Sequence, residues 1–138
     1  IISPHERVNE KDIDEAAVFT ASFSQEWKKK KKTSEVHVFE SEQIKKDKKM
    51  KLGTFGIIGE VTTVKPSLIM DIGFQKEKIK ALPHGILKKP LAMIVPGNTT
   101  KEKFAEELED FIEDKTMMLV KKEEILQALP SGGFKLLK

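Results

Sequence analysis

Lysine clusters are the feature of this sequence that most clearly suggests a chemistry, namely contact with phosphate. One run occupies residues 28–32, and a second, KKDKKMK, occupies residues 45–51. Lys carries a mobile point charge suited to phosphate, whereas Arg, of which Arg7 is the only example, is the better reader of base edges. The candidate nucleic-acid-binding residues are Lys28, Lys29, Lys30, Lys45, Lys46, Lys48, Lys49 and Lys51. We expect binding that depends little on sequence; the alternative is that these lysines only solvate the surface.

The glycine-rich stretch GTFGIIG, residues 53–59, directly follows the second lysine run. It superficially resembles a phosphate-binding loop, but its spacing differs from G-x-G-x-x-G and no helical pattern follows it. Without a helix start, the backbone amides that bind phosphate in such loops are missing. The stretch therefore predicts a hairpin in which glycines permit positive φ or close backbone approach.

Catalytic and metal chemistry find little support in the sequence. The absence of Cys excludes thiolate metal sites, disulfides and Cys nucleophiles. The three His residues lie far apart, without a metal-binding spacing such as HExxH; they are His5, His37 and His84. Asp71 and His84 are the pair from which an enzyme site could be built, which is the least favoured reading. ELEDFIEDK is read as the solvated face of a helix. We expect no catalytic residue, cofactor or metal.

Composition bounds the class of protein. The 138 residues suit one domain spanning 1–138, with 38% hydrophobic and 34% charged residues. The net charge is +3, and no apolar run approaches the roughly 20 residues of a membrane helix. The N-terminus has no signal-peptide layout, and the chain lacks an initiator Met. These features predict a cytoplasmic protein that is a processed or excised piece.

The lysine runs must be positioned by the elements around them. Residues 9–32 predict one helix with Asn9 as N-cap, acids in the first turn and lysines at the C-terminal end. Its residues at helical spacing predict one buried stripe; they are Ala16, Phe19 or Thr20, Phe23 and Trp27. EVHVFE, residues 35–40, predicts a strand, and the basic stretch after it predicts a loop.

The second half alternates strands and helices less regularly. Residues 54–75 predict several strands, KIKAL predicts another, and the apolar run LAMIV, residues 91–95, predicts a central strand. A second helix follows, with a capping box from Thr99 to Glu102 and a core face of Phe104, Leu108, Phe111 and Ile112. A short C-terminal helix ends at Pro130. The fold class is α+β: an antiparallel or mixed sheet packed by two main helices.

Several stretches, taken in order, resemble the NFACT-R domain. IDEAAVFTASFSQEWKKKKK is similar to its helix with AAsYSkAWK, VHVFESEQIKK to V-x-W-V-x-x-x-Q-V-S-K-T, and LGTFGIIG to L-x-x-G-S-F-M-I-R-G-K. LAMIVPGNTTKEKFAEEL resembles the archaeal V-V-V-P-G-D strand and helix, and ILQALPSGG the archaeal I-x-x-A-L-P-P-G-G. The similarity runs from about Asn9 to the end of the chain.

The resemblance implies a function. NFACT proteins act in ribosome-associated quality control, where they bind large ribosomal subunits carrying stalled peptidyl-tRNA and recruit tRNA. The R domain is their RNA-binding part, has an α+β core and carries no catalytic residue. The implied partners are tRNA or rRNA, with protein partners as a further option and no membrane.

Two departures from the family pattern affect that implication. The family's N-terminal hairpins, with D-L-Y-V-H-A-D-I-H-G-A, are absent, so we expect a C-terminal fragment or a shortened variant. The Arg and Lys of M-I-R-G-K align with Ile58 and Glu60, whereas Lys46 matches the Lys of S-K-T. The alternative reading is therefore a divergent protein-interaction module that has lost RNA binding.

Overall fold

The computed structural model describes residues 1–2 and 7–137, so His5 lies outside the described residues. The helices are α1 (Glu10–Ser22), α2 (Gln25–Lys28), α3 (Lys101–Thr116) and α4 (Lys122–Ala128), and a 3₁₀ turn spans Ser41–Gln43. The strands are β1 (Val36–Val38), β2 (Ile44–Lys45), β3 (Gly56–Ile57), β4 (Thr62–Val64), β5 (Met70–Gln75), β6 (Lys78–Pro83), β7 (Ala92–Thr99) and β8 (Phe134–Leu137).

The strands form one four-stranded antiparallel sheet, in the order β6-β5-β7-β8, and two small two-stranded sheets, β1-β4 and β2-β3. The α+β class is confirmed. The apolar run at residues 91–95 lies in β7, an internal strand, as its uninterrupted hydrophobicity predicts. Strand β8 follows the Gly132-Gly133 pair and was missed, because its four residues alternate too briefly to stand out.

The core lies between one face of the four-stranded sheet and the helices. Its sheet residues include Met70, Ile72 and Ile94, and α3 contributes Phe104, Leu108 and Ile112. The predicted core face of α3 is therefore confirmed, with Phe111 partly buried at its margin. The rings of Phe104 and Phe134 stack with centroids 5.0 Å apart and so join α3 to the last strand.

The predicted first helix is two helices, and its predicted stripe is wrong in part. The hydroxyl of Ser24 accepts a hydrogen bond from the amide of Glu26 and donates one to the carbonyl of Ala21. This local capping ends α1 and starts α2, which shifts the helical phase between them. Phe19 and Phe23 consequently stack on each other at the surface, 45% and 42% exposed, while Trp27 is fully buried. The N-cap prediction for Asn9 is confirmed.

The predicted capping box at Thr99 is also wrong. Thr99 is the last residue of β7 and pairs with Phe134, which holds its backbone in the sheet. The N-cap of α3 is instead Thr100, whose side chain makes no capping hydrogen bond. The competing strand pairing thus moves the helix start one residue along the chain.

Strands β7 and β8 approach each other closely at a register shift between Pro96 and Thr99. A Cβ atom on Gly97 would lie 2.4 Å from the carbonyl oxygen of Phe134, so only glycine fits there. The indole Nε1 of Trp27 donates a hydrogen bond of 2.9 Å to the carbonyl of Gly133 beside this point. The chain segment after α4 is therefore anchored to α2 as well as to β7.

Candidate nucleic-acid interface

The second lysine run lies on the hairpin formed by β2 and β3. Ile44 pairs with Ile57 and Lys45 with Gly56, and Gln43 closes the base by donating to the carbonyls of Ile58 and Glu60. Gly53 and Gly59 have φ of +80° and +81°, which confirms the predicted glycine-dependent turn geometry. A strand rather than a helix follows the lysines, so the phosphate-loop reading does not hold here.

The hairpin lysines differ in what they do. The ammonium of Lys46 donates to the carbonyls of Lys51 and Thr54 and so closes the loop from within. The other four hairpin lysines are exposed, and within the described residues their ammonium groups make no hydrogen bond to the loop. They are Lys45, Lys48, Lys49 and Lys51. Lys46, the residue that matches the family's Lys, therefore has a structural role in shaping the loop.

The first lysine run surrounds the end of α2. The carboxylate of Glu26 accepts hydrogen bonds from Lys29 at 2.5 Å and from Lys31 at 2.6 Å. The hydrogen bond from Lys29, followed by that from Lys31, holds the pKa of Glu26 below its usual value. Lys30 has a left-handed φ of 57° and directs its ammonium to Asn98 at 2.6 Å. Part of this run is thus already neutralised by an internal acid.

The two runs do not flank the same sheet. Lys30 contacts the end of β7 in the four-stranded sheet, and Lys30, Asn98 and Lys135 line one small cleft. The hairpin lysines belong to the separate β2-β3 sheet, and β1 between the two runs pairs with β4. No single sheet therefore carries both runs, because the strands between them pair locally.

Residues 1–59 match the family model described as the NFACT protein RNA binding domain. This segment is similar to the NFACT-R family. No curated protein and no solved structure matches the chain. The matched segment contains all eight candidate lysines and both small hairpins' first strands, whereas β4 to β8 follow it. An RNA-binding domain family, and not a catalytic one, thus accounts for the part of the chain that carries the lysine runs.

The NFACT-R hairpin presents apolar side chains beside its lysines. Ile58, at the position of the family's Arg, is 58% exposed, and Glu60 is also exposed. Ile58 therefore does not enter the core, which alternation along the strand would have allowed. The hairpin's exposed apolar residues are Ile44, Leu52, Phe55, Ile57 and Ile58. Sequence reasoning missed this surface, because short apolar runs in a predicted strand are normally assigned to a core.

Lysines on the helical side of the molecule are engaged in other ways. Lys101 donates to the carbonyl of Leu129, and burial lowers its pKa. Lys122 bonds the carboxylate of Glu106, and that hydrogen bond raises the pKa of Lys122. Lys11 and Lys103 pair with Glu15 and Glu107 one helical turn away. These lysines lie among acids and are poor candidates for phosphate contact.

Asp71 and His84 come together, as the least favoured reading of the sequence grouped them. Asp71 is fully buried in β5, and its carboxylate lies 2.8 Å from the Nδ1 of His84 and accepts the amide of Gly85 at 2.9 Å. The two hydrogen bonds from Asp71 to the successive residues His84 and Gly85 anchor a turn. Neither bond places a nucleophilic side chain beside the imidazole. Asp71 lies in an internal strand of the four-stranded sheet.

Two features are absent from the described part of the chain, namely a cluster of possible metal ligands and a membrane-spanning helix. Residues 1–2 and 7–137 hold no group of three or more His, Asp or Glu side chains placed to bind a metal ion. Within the same residues, no helix is long and apolar enough to cross a membrane.

Proposed function

We propose that this chain is a non-enzymatic RNA-binding domain that contacts tRNA or rRNA on stalled large ribosomal subunits, in ribosome-associated quality control in the cytoplasm. The observation that carries the proposal is the NFACT-R match over residues 1–59, within which every candidate lysine falls. The wider resemblance, which runs in order from about Asn9 to the end of the chain, supports the same role. No cofactor is required, because binding uses only charge and shape.

The hairpin lysines supply the contacts in this proposal. Lys45, Lys48, Lys49 and Lys51 are exposed around a rigid, glycine-pinned turn that Lys46 closes from within. Each Lys that neutralises a phosphate releases a counterion, so binding should weaken with salt at a log–log slope of about −0.9 per contact. Lys28 and Lys30, which do not bond Glu26, extend the contact surface from α2.

The test is the salt dependence of tRNA binding by two matched variants. The hairpin variant replaces Lys45, Lys48 and Lys49 by Gln and keeps Lys46, so that the loop stays closed. The helix variant replaces Lys11, Lys103 and Lys121 by Gln and so loses the same charge. These three lysines are exposed on or beside α1, α3 and α4. The hairpin variant should lose up to about three contacts' worth of slope and the helix variant none. An equal effect of both would reject the hairpin as the contact surface.

A second candidate function is a protein-interaction module on the same scaffold. It is favoured by the hairpin's exposed apolar residues and by Glu60, which stands where the family carries a Lys. Exposed apolar and aromatic side chains such as these are typical of the centre of a protein interface. Binding to intact large ribosomal subunits but not to tRNA or protein-free rRNA, abolished by Phe55→Ser with Ile58→Ser, would establish this candidate and exclude the first.

A further inference from the structure

The four-stranded sheet has two faces of different character. Strand register places Met70, Ile72 and Ile94 on the face that packs against the helices, and the core takes its sheet residues from that face. Residues one position along each strand point to the opposite face, because side chains alternate. We call this second side the open face; its residues on the four strands include Lys78, Lys80, Leu82, Asp71, Gly73, Met93, Val95, Lys135 and Leu137.

The exposed charged residues named on the open face are basic. Lys78, Lys80 and Lys135 are exposed, and Leu137 is 37% exposed, whereas Asp71 is fully buried and tied to His84. Met93 and Val95 are half-buried and fall outside the core cluster. The exposed lysines of this face lie on its two edge strands, β6 and β8, and the residues named above include no aromatic side chain for base stacking.

A loop, residues 84–90, crosses the open face and adds two lysines to it. Gly73 lies directly beneath it: a Cβ there would meet the Leu87 side chain at 2.9 Å and the Lys89 carbonyl at 3.4 Å. Gly73 pairs with Lys80 on β6, so the backbone of Lys89 lies close to the strand position of Lys80. Lys88 and Lys89 are both exposed. The bonds from Asp71 to His84 and Gly85 fix where the loop starts.

The open face continues into the first lysine run. Lys135 shares a cleft with Lys30 and Asn98, and Lys30 bonds Asn98. With strands about 4.8 Å apart and a rise of about 3.3 Å per residue, Lys80 and Lys135 lie about 20 Å apart across the sheet. A basic track therefore leads from α2 across β8 and β7 towards the loop lysines.

Acidic residues mark the borders of this track. Asp12 and Glu15 of α1 line a cleft that reaches Leu82 and Ile86, and Glu124 of α4 shares another with Lys78 and Lys80. The acids lie towards the helices, at the side of β6. A polyanion on the open face would be kept away from the helices by this charge distribution.

Protection of sheet edges explains only some of these lysines. β6 and β8 are the edge strands of the sheet, and exposed Lys on an edge strand discourages pairing with other chains. Lys78, Lys80 and Lys135 fit that role, but Lys88 and Lys89 lie in a loop that forms no edge. The backbone of Lys89 lies over Gly73 on the internal strand β5, so edge protection does not account for the loop lysines.

We propose that the open face binds the phosphate backbone of a structured RNA, with Lys78, Lys80, Lys88, Lys89 and Lys135 as contacts and without base selectivity. The inference rests on the proposed RNA-binding function and adds to it a surface outside the NFACT-R match of residues 1–59. Scattered Lys without Arg or aromatic side chains suits phosphate contact rather than base readout. Lys30 joins this surface to the matched segment.

The experiment compares tRNA binding across a salt series for a face variant, in which Lys80, Lys88 and Lys135 become Gln, with the helix variant defined above. Both lose the same charge, and thermal melts check that both remain folded. We expect the face variant to lose about two to three contacts' worth of salt slope, each about 0.9, and the helix variant to match the wild type. Amide shifts in the NMR spectrum of the wild type on tRNA addition should include Lys80, Lys88 and Lys135.

Several outcomes would overturn the inference. If the wild type binds tRNA and only the hairpin variant loses slope, the proposed function stands and the open face is not a contact. If the wild type binds no tRNA, both fail together. If the face variant aggregates but its salt slope for tRNA binding is unchanged, the replaced lysines serve only to keep the sheet edges from pairing with other chains. Binding of oligo-glutamate to this face in place of tRNA would make its partner an acidic protein segment.

Discussion

The buried carboxylate of Asp71 holds the imidazole of His84 at 2.8 Å and the amide of Gly85 at 2.9 Å, so a central strand dictates where the loop of Lys88 and Lys89 begins. Asp71→Ala leaves the Gly85 amide without this acceptor and should cost about 1–3 kcal/mol of unfolding free energy. His84→Ala removes one of the two bonds and should cost less. Urea unfolding measures both, and equal stability of Asp71→Ala and the wild type would show that the anchor is dispensable.

Glu26 restrains the first lysine run, because it bonds Lys29 and Lys31. Glu26→Gln removes that charge and should raise tRNA affinity and steepen the salt slope by up to about two contacts. Glu107→Gln on α3 is the control with the same change in net charge. If the two variants bind tRNA alike, the lysines beside Glu26 do not reach the RNA.

The same carboxylate should contribute to acid sensitivity. The pKa of Glu26 is lowered in the folded chain by its hydrogen bonds from Lys29 and Lys31. Its contribution to stability is therefore present above the unfolded pKa and is lost as pH falls through the lower folded pKa. Because Glu26 is only half-buried and its lysine partners are exposed, solvent screens the ion pairs and the effect should be small. Between pH 7 and pH 3, Glu26→Gln should show a shallower loss of melting temperature than the wild type; identical profiles would contradict the ion-pair cluster in solution.

Ile58 and Glu60 are exposed where the NFACT-R pattern carries Arg and Lys. Ile58→Arg with Glu60→Lys should strengthen tRNA binding by about 1–3 kcal/mol at modest salt, because two phosphate contacts replace one repulsion. Leu119→Arg with Glu123→Lys makes the same charge change at exposed positions beside α4. A folded double variant that binds no tighter than this control would favour a protein partner for the hairpin.

Trp27 is predicted to be the most costly side chain to truncate in the N-terminal segment. It is fully buried, donates to Gly133 and packs against Phe134 with centroids 5.7 Å apart. Trp27→Ala should cost about 3–5 kcal/mol. Phe23→Ala, at a position that is 42% exposed, should cost clearly less. Equal losses for the two variants in urea unfolding would contradict the packing described here.

The sequence predicted well those elements whose pattern is set locally. The capped start of α1 at Asn9, the apolar run of β7 and the core face of α3 all follow from short-range preferences. The burial of Trp27 was also predicted, although the stripe assigned to it was wrong, because Ser24 interrupts the helix. Whether Phe19 and Phe23 face the core or the solvent depends on that interruption. The spacing of apolar residues along the sequence does not reveal it.

The candidate site was less predictable than the fold. Clustered lysines are visible in a sequence, but Lys46 turning inwards and Glu26 bonding its neighbours depend on loop geometry. The open face is invisible for a different reason: Lys80, Lys89 and Lys135 come together only through strand register and the crossing loop. The pairing of Asp71 with His84 likewise requires β5 to be internal, which its sequence alone does not indicate.

The bond from Trp27 to Gly133 joins residues 106 positions apart. A chain emerging from its own ribosome would therefore carry its N-terminal Trp without a burial site until β8 had been made. The segment that matches NFACT-R would be complete in sequence long before its largest aromatic residue could be enclosed. Because the contact is so distant along the chain, closure should be a late and slow event in folding. Until then, the exposed indole would be a target for chaperones. A stall in synthesis before Phe134 would leave the segment of residues 1–59 synthesised but with Trp27 still exposed.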